Sequence, residues 1–187
     1  LLVRSVTYIR RGENFDPQNV AVLRLRPKLN DYPPEKAQAF TREVLQRLET
    51  VPGVQSVSLS KTTLAWPRSS EVHVRLPEKT DLRREDQLLV NLHEIAPRLL
   101  GTLKLPLLHG RDFDDRDRPE SPRVVIVNET LANRMWTNGA PIGQTLVLDE
   151  QNYHVVGIVK DAQFHNATEE PSPFLYLPYW QNNLGAQ

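Results

Sequence analysis

The chain has 187 residues, 39 % hydrophobic and 25 % charged, with 23 basic side chains set against 23 acidic ones. That length suits one domain or two small lobes, and a chain of ~150 residues already hides ~70 % of its unfolded surface, enough for a real core. Balanced charge argues against a polybasic nucleic-acid binder, and the absence of cysteine excludes a disulfide framework, a thiolate nucleophile and any Cys-ligated metal. Apolar runs such as Val124 to Val127 fall far short of the ~18 residues that a membrane-spanning helix needs. The chain opens Leu1-Leu2-Val3-Arg4, with neither an initiator Met nor a signal-peptide pattern, and so is expected to come from something longer. Fifteen prolines against eight glycines point to stiff turns and short elements.

Residues 1–12 mix Leu1, Leu2, Val3, Val6, Tyr8 and Ile9 with Arg4, Arg10 and Arg11. They suit a short helix, either a frayed end or the watery end of a membrane helix with arginines at headgroup level. Val20 to Arg26 alternates, with Ala21, Leu23 and Leu25 opposite Arg24 and Arg26, and reads as a half-buried strand. Pro33-Pro34 opens a helix whose Ala37, Phe40, Val44, Leu48 and Val51 form one apolar stripe facing a sheet. Pro52-Gly53 stops it, and Val54, Val57 and Leu59 carry the next strand. After a loop over 61–71, Val72, Val74 and Leu76 alternate with Glu71, His73 and Arg75 as a strand, and residues 77–86 form a charged turn.

Leu88 to Ile95 suits a strand, Pro97 to Leu103 a short helix, and Leu107 to Phe113 a turn-rich connector. Arg123 to Val127 has the continuous apolar pattern of a strand buried on both faces. Asn128 is a natural N-cap, with Glu129 in the first turn of a helix that runs to Trp136. Gly139, Pro141 and Gly143 make a tight corner before a strand over Thr145 to Leu148. Tyr153 to Val159 is a further strand, in which Gly157 marks a bulge or a close backbone approach, and Phe174 to Leu177 is the last. Strands alternating with short helices define a mixed α+β (α/β-like) fold.

The residues offer little chemistry. His73, His93 and His154 fall on strand faces shared with polar neighbours, and His109 and His165 in expected loops, with no ligand spacing among them. Asp112, Asp114, Asp115 and Asp117 lack the glycine and the bidentate glutamate of a calcium loop. Arg111, Arg116 and Arg118 interleave with them, so a solvated turn with Asx-type bonds is the better reading. None of the eight serines sits in a nucleophile elbow, and no phosphate-binding glycine loop occurs. Trp66, Trp136 and Trp180 offer stacking surfaces, although a tryptophan on the helix at 136 suits the core. No catalytic, cofactor-binding or metal-ligating residue is therefore assigned, no cofactor is expected, and the chain is not expected to be an enzyme.

The order of short motifs says more. Gly110-Arg111-Asp112-Phe113 is followed by Val124-Val125-Ile126-Val127-Asn128-Glu129-Thr130-Leu131-Ala132, then Met135-Trp136 and Pro141-Ile142-Gly143-Gln144. Val155-Val156-Gly157-Ile158-Val159-Lys160-Asp161 and Phe174-Leu175-Tyr176-Leu177-Pro178-Tyr179 close the series. With Phe15-Asp16-Pro17-Gln18-Asn19-Val20 and Leu48-Glu49-Thr50-Val51-Pro52-Gly53-Val54, this series resembles the MacB-like periplasmic core domain of FtsX-related ABC-transporter permeases. The opening motif looks most like the duplicated permeases of acidobacterial type. The segment Ile95-Ala96-Pro97-Arg98-Leu99-Leu100 departs from the family, keeping the proline and losing an aromatic residue.

The resemblance implies a juxtamembrane segment at 1–12, a porter-like strand–helix–strand lobe from 13–68 with 151–187, and an inserted small α/β lobe over 69–150. The strands at Tyr153 and Phe174 would be sheet partners of the opening unit, and residues 61–71 and 149–153 would be the lobe crossings. The implied role is non-catalytic. A periplasmic domain on the bacterial inner membrane would couple ATP-driven motion of transmembrane helices to export of a hydrophobic or peptide-like substrate, or to partner proteins. Its partners would be the transmembrane helices of the same permease, a separate ATP-binding subunit or domain, a periplasmic adaptor and a second copy in a homodimer, with no nucleic acid. A stand-alone periplasmic module holding a small ligand between lobes is the alternative, and an enzyme would instead require shifted carboxylates or histidines in that cleft.

Overall fold

The computed structural model describes residues 6–7, 19–23, 25, 33–61, 70–137, 139–162 and 171–182. Val6–Thr7 (β1) pairs antiparallel with Val22–Leu23 (β2), so the expectation of a helix over residues 1–12 fails at this point; the rest of that stretch lies outside the described residues. Helix α1 spans Pro34–Glu49 and starts where its two prolines dictate, with Pro33 at the N-cap and Pro34 in the first turn, where a missing N–H costs nothing. It ends before Gly53, whose φ of +87° is open to glycine and strained for other residues. Ala37, Phe40, Val44 and Leu48 of its apolar stripe are half-buried, whereas Val51, beyond the helix end, is 46 % exposed. The strand expected from Val54 to Leu59 does not form. That segment has the right alternation, but its backbone pairing comes at the far end, where Ser60 bridges Ile95, the Leu59 carbonyl accepts the Ala96 N–H at 2.8 Å and the Lys61 N–H donates to the Glu94 carbonyl at 3.0 Å.

The main sheet contains Ser70–Arg75 (β3), Leu88–Ile95 (β4), Leu107–Gly110 (β5), Val124–Asn128 (β6), Thr145–Leu148 (β7), Gln151–Val159 (β8) and Phe174–Pro178 (β9). Their order is β5-β8-β6-β9-β4-β3-β7, and β7 also pairs with β8. The second pairing closes β8, β6, β9, β4, β3 and β7 into a ring, and β5 extends the sheet beside β8. Each strand of the ring has a strand on both sides, so among the described residues the open edge of the sheet lies at β5. A 3₁₀ turn at Arg84–Asp86 lies in the charged connection, and short helices cover Leu99–Thr102 (α2), Glu129–Met135 (α3) and Tyr179–Asn182 (α4).

Alternation along the central strands sorts their side chains into two cores. Val125 and Val127 of β6 and Leu175 and Leu177 of β9 point into one cluster, together with Val74, Val90, Leu146, Leu148, Tyr153 and Val155. All six ring strands contribute to it, so it lines the inside of the ring, and Leu131 and Ala132 of α3 fill it. Val124, Ile126, Phe174 and Tyr176 face the other way, onto Leu99, Leu100, Leu103, Leu105 and Phe113 from the segment that connects β4 to β6. Each fully buried aliphatic or aromatic side chain contributes on the order of 1.5–3 kcal/mol relative to exposure. That explains why residues 124–127 of β6 and 174–177 of β9 read as unbroken apolar runs.

Further expectations meet a different arrangement. Leu107–Gly110 is a strand rather than a connector; all four residues are exposed, and β8 alone supplies the ladder that makes them a strand. The strands β8 and β9 are hydrogen-bonded among β4, β5, β6 and β7, so the pairing runs straight across the lobe limit expected at 150/151. Among the described residues they do not partner the opening strand–helix–strand unit. The crossing expected at 149–153 is a two-residue hairpin turn, Asp149-Glu150, between Leu148 and its partner Gln151. The other crossing, with Pro67, lies mostly outside the described residues.

Candidate functional site

The polar groups of this domain are cross-ties between chain segments. Asn128 caps α3 as its position predicts, with Oδ1 accepting the Leu131 N–H at 3.0 Å. The same oxygen accepts the Phe174 N–H at 2.9 Å, while Nδ2 donates to Asp161 Oδ1 at 2.6 Å and to the Ser172 carbonyl at 2.8 Å. Asp161 also accepts from the Thr130 N–H at 3.1 Å and the Thr130 hydroxyl at 2.8 Å. One buried amide, 1 % exposed, therefore ties the end of β6, the start of α3, the residues after β8 and the start of β9. All four of its hydrogen-bonding positions are used, as burial requires.

A second tie surrounds the bulge in β8. The β6–β8 register slips between Val125/Ile126 and their partners Val155/Gly157, leaving Val156 as the extra residue. Its carbonyl accepts the Arg111 N–H at 2.9 Å. Gly110 and Gly157 face each other across β5 and β8, and neither could carry a side chain. A Cβ at Gly110 would lie 2.1 Å from the Val156 oxygen, and one at Gly157 would lie 2.5 Å from the Arg111 oxygen. The close approach expected at Gly157 is present.

The acidic loop follows directly. Arg111 grips Asp117 with two hydrogen bonds of 2.8 Å, and Asp117 Oδ2 also accepts the Asp114 N–H at 2.9 Å. Asp117 is buried, with 4 % side-chain exposure, so the expectation of a wholly solvated turn fails there. Phe113, 3 % exposed, plugs the outer core between the two charged residues and draws the loop inward. Hydrogen bonding to Asp117 raises the Arg111 pKa, and the Arg116 fork holds Asp114 well below the usual carboxylate range. Burial pushes Asp112 upward, although it accepts the Phe113 N–H at 2.7 Å.

The last tie is Gln181 of α4, 3 % exposed. Its Oε1 accepts the Val124 N–H at 3.0 Å, and Nε2 donates to the carbonyls of Arg118 and Pro122, each at 3.0 Å. Beside it, Trp180 meets Tyr179 edge-on at 4.9 Å and carries the Arg42 guanidinium 4.6 Å above its ring, which joins α4 to α1. Nothing in the sequence singled out Gln181, because its partners lie about sixty residues earlier in the chain.

The structure separates the histidines. His93 is not on a wet face: it is 1 % exposed and stacks on Phe174 at 5.3 Å and 4°, with Tyr176 at 6.0 Å. His73 is half-buried, His109 and His154 are exposed, and His154 Nδ1 lies 3.1 Å from the Thr145 hydroxyl. Trp136 packs against the inner core, as expected, while Trp66 and His165 lie outside the described residues. Among the described residues no three His, Asp or Glu side chains converge as metal ligands, and no helix is long and apolar enough to cross a membrane.

Comparison with known proteins agrees with this architecture. Over residues 4–186 the sequence matches the family of MacB-like periplasmic core domains. A macrolide export ATP-binding/permease protein MacB from Aggregatibacter actinomycetemcomitans is 29 % identical over 89 residues, which are 48 % of this chain and 14 % of that protein. The corresponding protein of Neisseria gonorrhoeae is 25 % identical over 77 residues, 41 % of this chain and 12 % of its own length. The matched part is thus a small share of these relatives. Among solved structures, the periplasmic region of MacB from Actinobacillus actinomycetemcomitans superposes with a TM-score of 0.54 at 22 % identity, covering 75 % of this chain and 55 % of that one. The extracellular domain of the noncanonic ABC-type transporter YknZ from Gram-positive bacteria gives 0.51 at 21 % identity, covering 73 % and 61 %. These likenesses establish the fold, and the match over residues 4–186 establishes the family: the chain belongs to the MacB-like periplasmic core domains of ABC-transporter permeases.

Proposed function

We propose that this domain is the non-catalytic, extracytoplasmic part of a permease in the bacterial inner membrane. In this reading it passes ATP-driven motion of the permease's own transmembrane helices to an exported substrate or to a periplasmic adaptor. ATP binds a separate domain or subunit, and two copies work together as a homodimer. The family match over residues 4–186 carries the reading. The geometry supports it in one respect: a ring of paired strands, cross-tied by Asn128 and Gln181, is stiff enough to move as a piece.

The expected division into 13–68 with 151–187 and 69–150 enters this proposal in modified form. Strands β3–β9 move together because hydrogen bonds cross the 150/151 limit, and bending falls in residues 54–57, ahead of the bonds that tie Leu59 and Lys61 to the end of β4. Such a rigid-body transition needs two states with different contacts outside the ring.

The test uses the full-length protein with its ATP-binding part in proteoliposomes, spin-labelled at exposed Leu108 through a Leu108→Cys change. The distance between labels on the two copies is expected to shift when ATP binds and to return after hydrolysis. A distance that is the same without nucleotide, with ATP and after hydrolysis would remove the coupling role.

A further inference from the structure

The ring of strands is not equally strong all the way round. β3 lies opposite β4 from Ser70 to Val74, and β7 lies opposite β8 from Thr145 to Leu148. Between β3 and β7 only Val74 with Leu148 and Arg75 with Val147 are paired. The β6–β9 junction is equally short, joining Ile126 with Tyr176 and Val127 with Leu175. That junction, however, is buried on both faces, and the Asn128 amide oxygen holds the Phe174 N–H beside it. At the β3–β7 junction Val74, Val147 and Leu148 are buried as well, but Arg75 is only half-buried, and an ion pair at the surface stands where the other junction has its buried amide tie.

Two more features meet at this seam. The turn that joins β7 to β8 places Asp149 at φ 47° and Glu150 at φ 58°, a left-handed pair in which a hairpin normally carries Asn-Gly. Non-glycine residues adopt that conformation reluctantly, so the turn holds β7 in place less firmly than an ideal hairpin would. Glu150, the second of these residues, then reaches across the seam, and Arg75 Nη2 donates to its Oε2 at 2.9 Å. The Arg75 side chain is 11 % exposed and that of Glu150 80 %, so the pair forms one outward-facing clasp over the two-pair junction.

We infer that the β3–β7 seam is where the closed sheet opens first, with the Arg75–Glu150 ion pair as its latch. Opening there frees β7 from β3 and uncovers the inner core at Val74, Leu146 and Leu148, while the β9–β6–β8 part of the ring stays paired. Sub-global opening of this kind is read directly by amide exchange. The inference concerns the fold itself and stands whether or not the domain transmits force.

The test is residue-resolved hydrogen exchange on the full-length protein without nucleotide, comparing wild type with Glu150→Gln and Arg75→Gln. In the wild type, amides facing each other across β3 and β7 are expected to exchange at least ~10-fold faster than those of β6 and β9. Either substitution should speed the seam amides a further ~2–5-fold, the scale of a partly exposed ion pair, and leave β6 and β9 unchanged. The combined exchange of partners, Arg75→Glu with Glu150→Arg, should restore most of the protection. Seam amides as slow as those of β6 and β9, or substitutions that accelerate every strand alike, would overturn the latch. A coupling role that failed in the spin-label experiment would leave these rates untouched, so the two failures are distinguishable.

Discussion

The Asn128 side-chain amide and the Asp161 carboxylate meet at 2.6 Å, joining the end of β6 to the residues that follow β8 across 33 positions of sequence. The amide is also bonded to Leu131, Ser172 and Phe174, so a substitution there breaks several segments apart at once. Asn128→Ala should cost roughly 2–4 kcal/mol in urea unfolding, the sum of a lost N-cap and several buried polar groups left without partners. Asn128→Asp should cost more, because it sets a second carboxylate against Asp161 and keeps only the acceptor side. An Asp variant as stable as the wild type would show that this node carries little of the fold.

Gly110 and Gly157 provide a paired test of the bulge. Alanine at either position must push its Cβ into a backbone carbonyl, whereas Gly139 and Gly143 have open space where a Cβ would go. Gly110→Ala and Gly157→Ala are expected to lose ~3 kcal/mol or more, or to prevent folding. Gly143→Ala should cost only ~1–2 kcal/mol, for its φ of +83°. Gly139→Ala should be nearly neutral. Thermal melts of the four variants side by side decide the matter, and equal losses at all four positions would contradict the close approach.

The Arg111–Asp117 pair should behave as a unit. Arg111→Ala leaves the buried Asp117 carboxylate without its cation and is expected to cost roughly 2–4 kcal/mol, discounted because Arg111 itself is one-third exposed. Asp117→Asn should cost less, since an amide still accepts the Asp114 N–H. A double-mutant cycle should show coupling of at least ~1 kcal/mol, and additivity would mean that the bidentate geometry is energetically idle.

Buried ionisable groups set a pH dependence at both ends of the scale. Burial raises the Tyr176 phenol above its ordinary value, and among the described residues its hydroxyl has no hydrogen-bond partner. A raised folded-state pKa means that stability is complete below pH ~10 and falls as pH rises beyond it, by up to ~1.4 kcal/mol per unit. Tyr176→Phe should weaken that alkaline loss without abolishing it, because burial raises Tyr153 as well. At pH 7 the same change should be neutral or stabilising by up to ~1 kcal/mol. Alkaline melts that are identical for wild type and Tyr176→Phe would show that the ring is not buried as described.

For Asp112 burial also raises the pKa, so its contribution is complete below the unfolded value of 3.8 and is lost as pH rises through the folded one. Asp112→Asn keeps an acceptor for the Phe113 N–H and should raise the melting temperature at pH 7 while changing it little at pH 3. A lower melting temperature at pH 7 would mean that the charge itself is stabilising there.

Much of this fold follows from short-range regularities in the sequence. The helix at Pro34–Glu49, the strands at Leu88–Ile95 and Thr145–Leu148 and the Asn128 cap each depend on residues within a few positions of one another. Side-chain periodicity, proline geometry and capping act over that range, so the sequence by itself determines them. The tertiary structure decided what depends on a distant partner. Residues 54–59 alternate like a strand yet form none, while Leu107–Gly110, which alternates poorly, becomes a strand because β8 lies beside it. His93 looks like a surface residue next to Glu94, but the placement of β9 beside β4 stacks it between buried aromatic rings. Closure of the ring, the burial of Asp117 and the reach of Gln181 share that cause: each is set by which strands meet, and the free energy of that meeting belongs to the whole core rather than to any one segment.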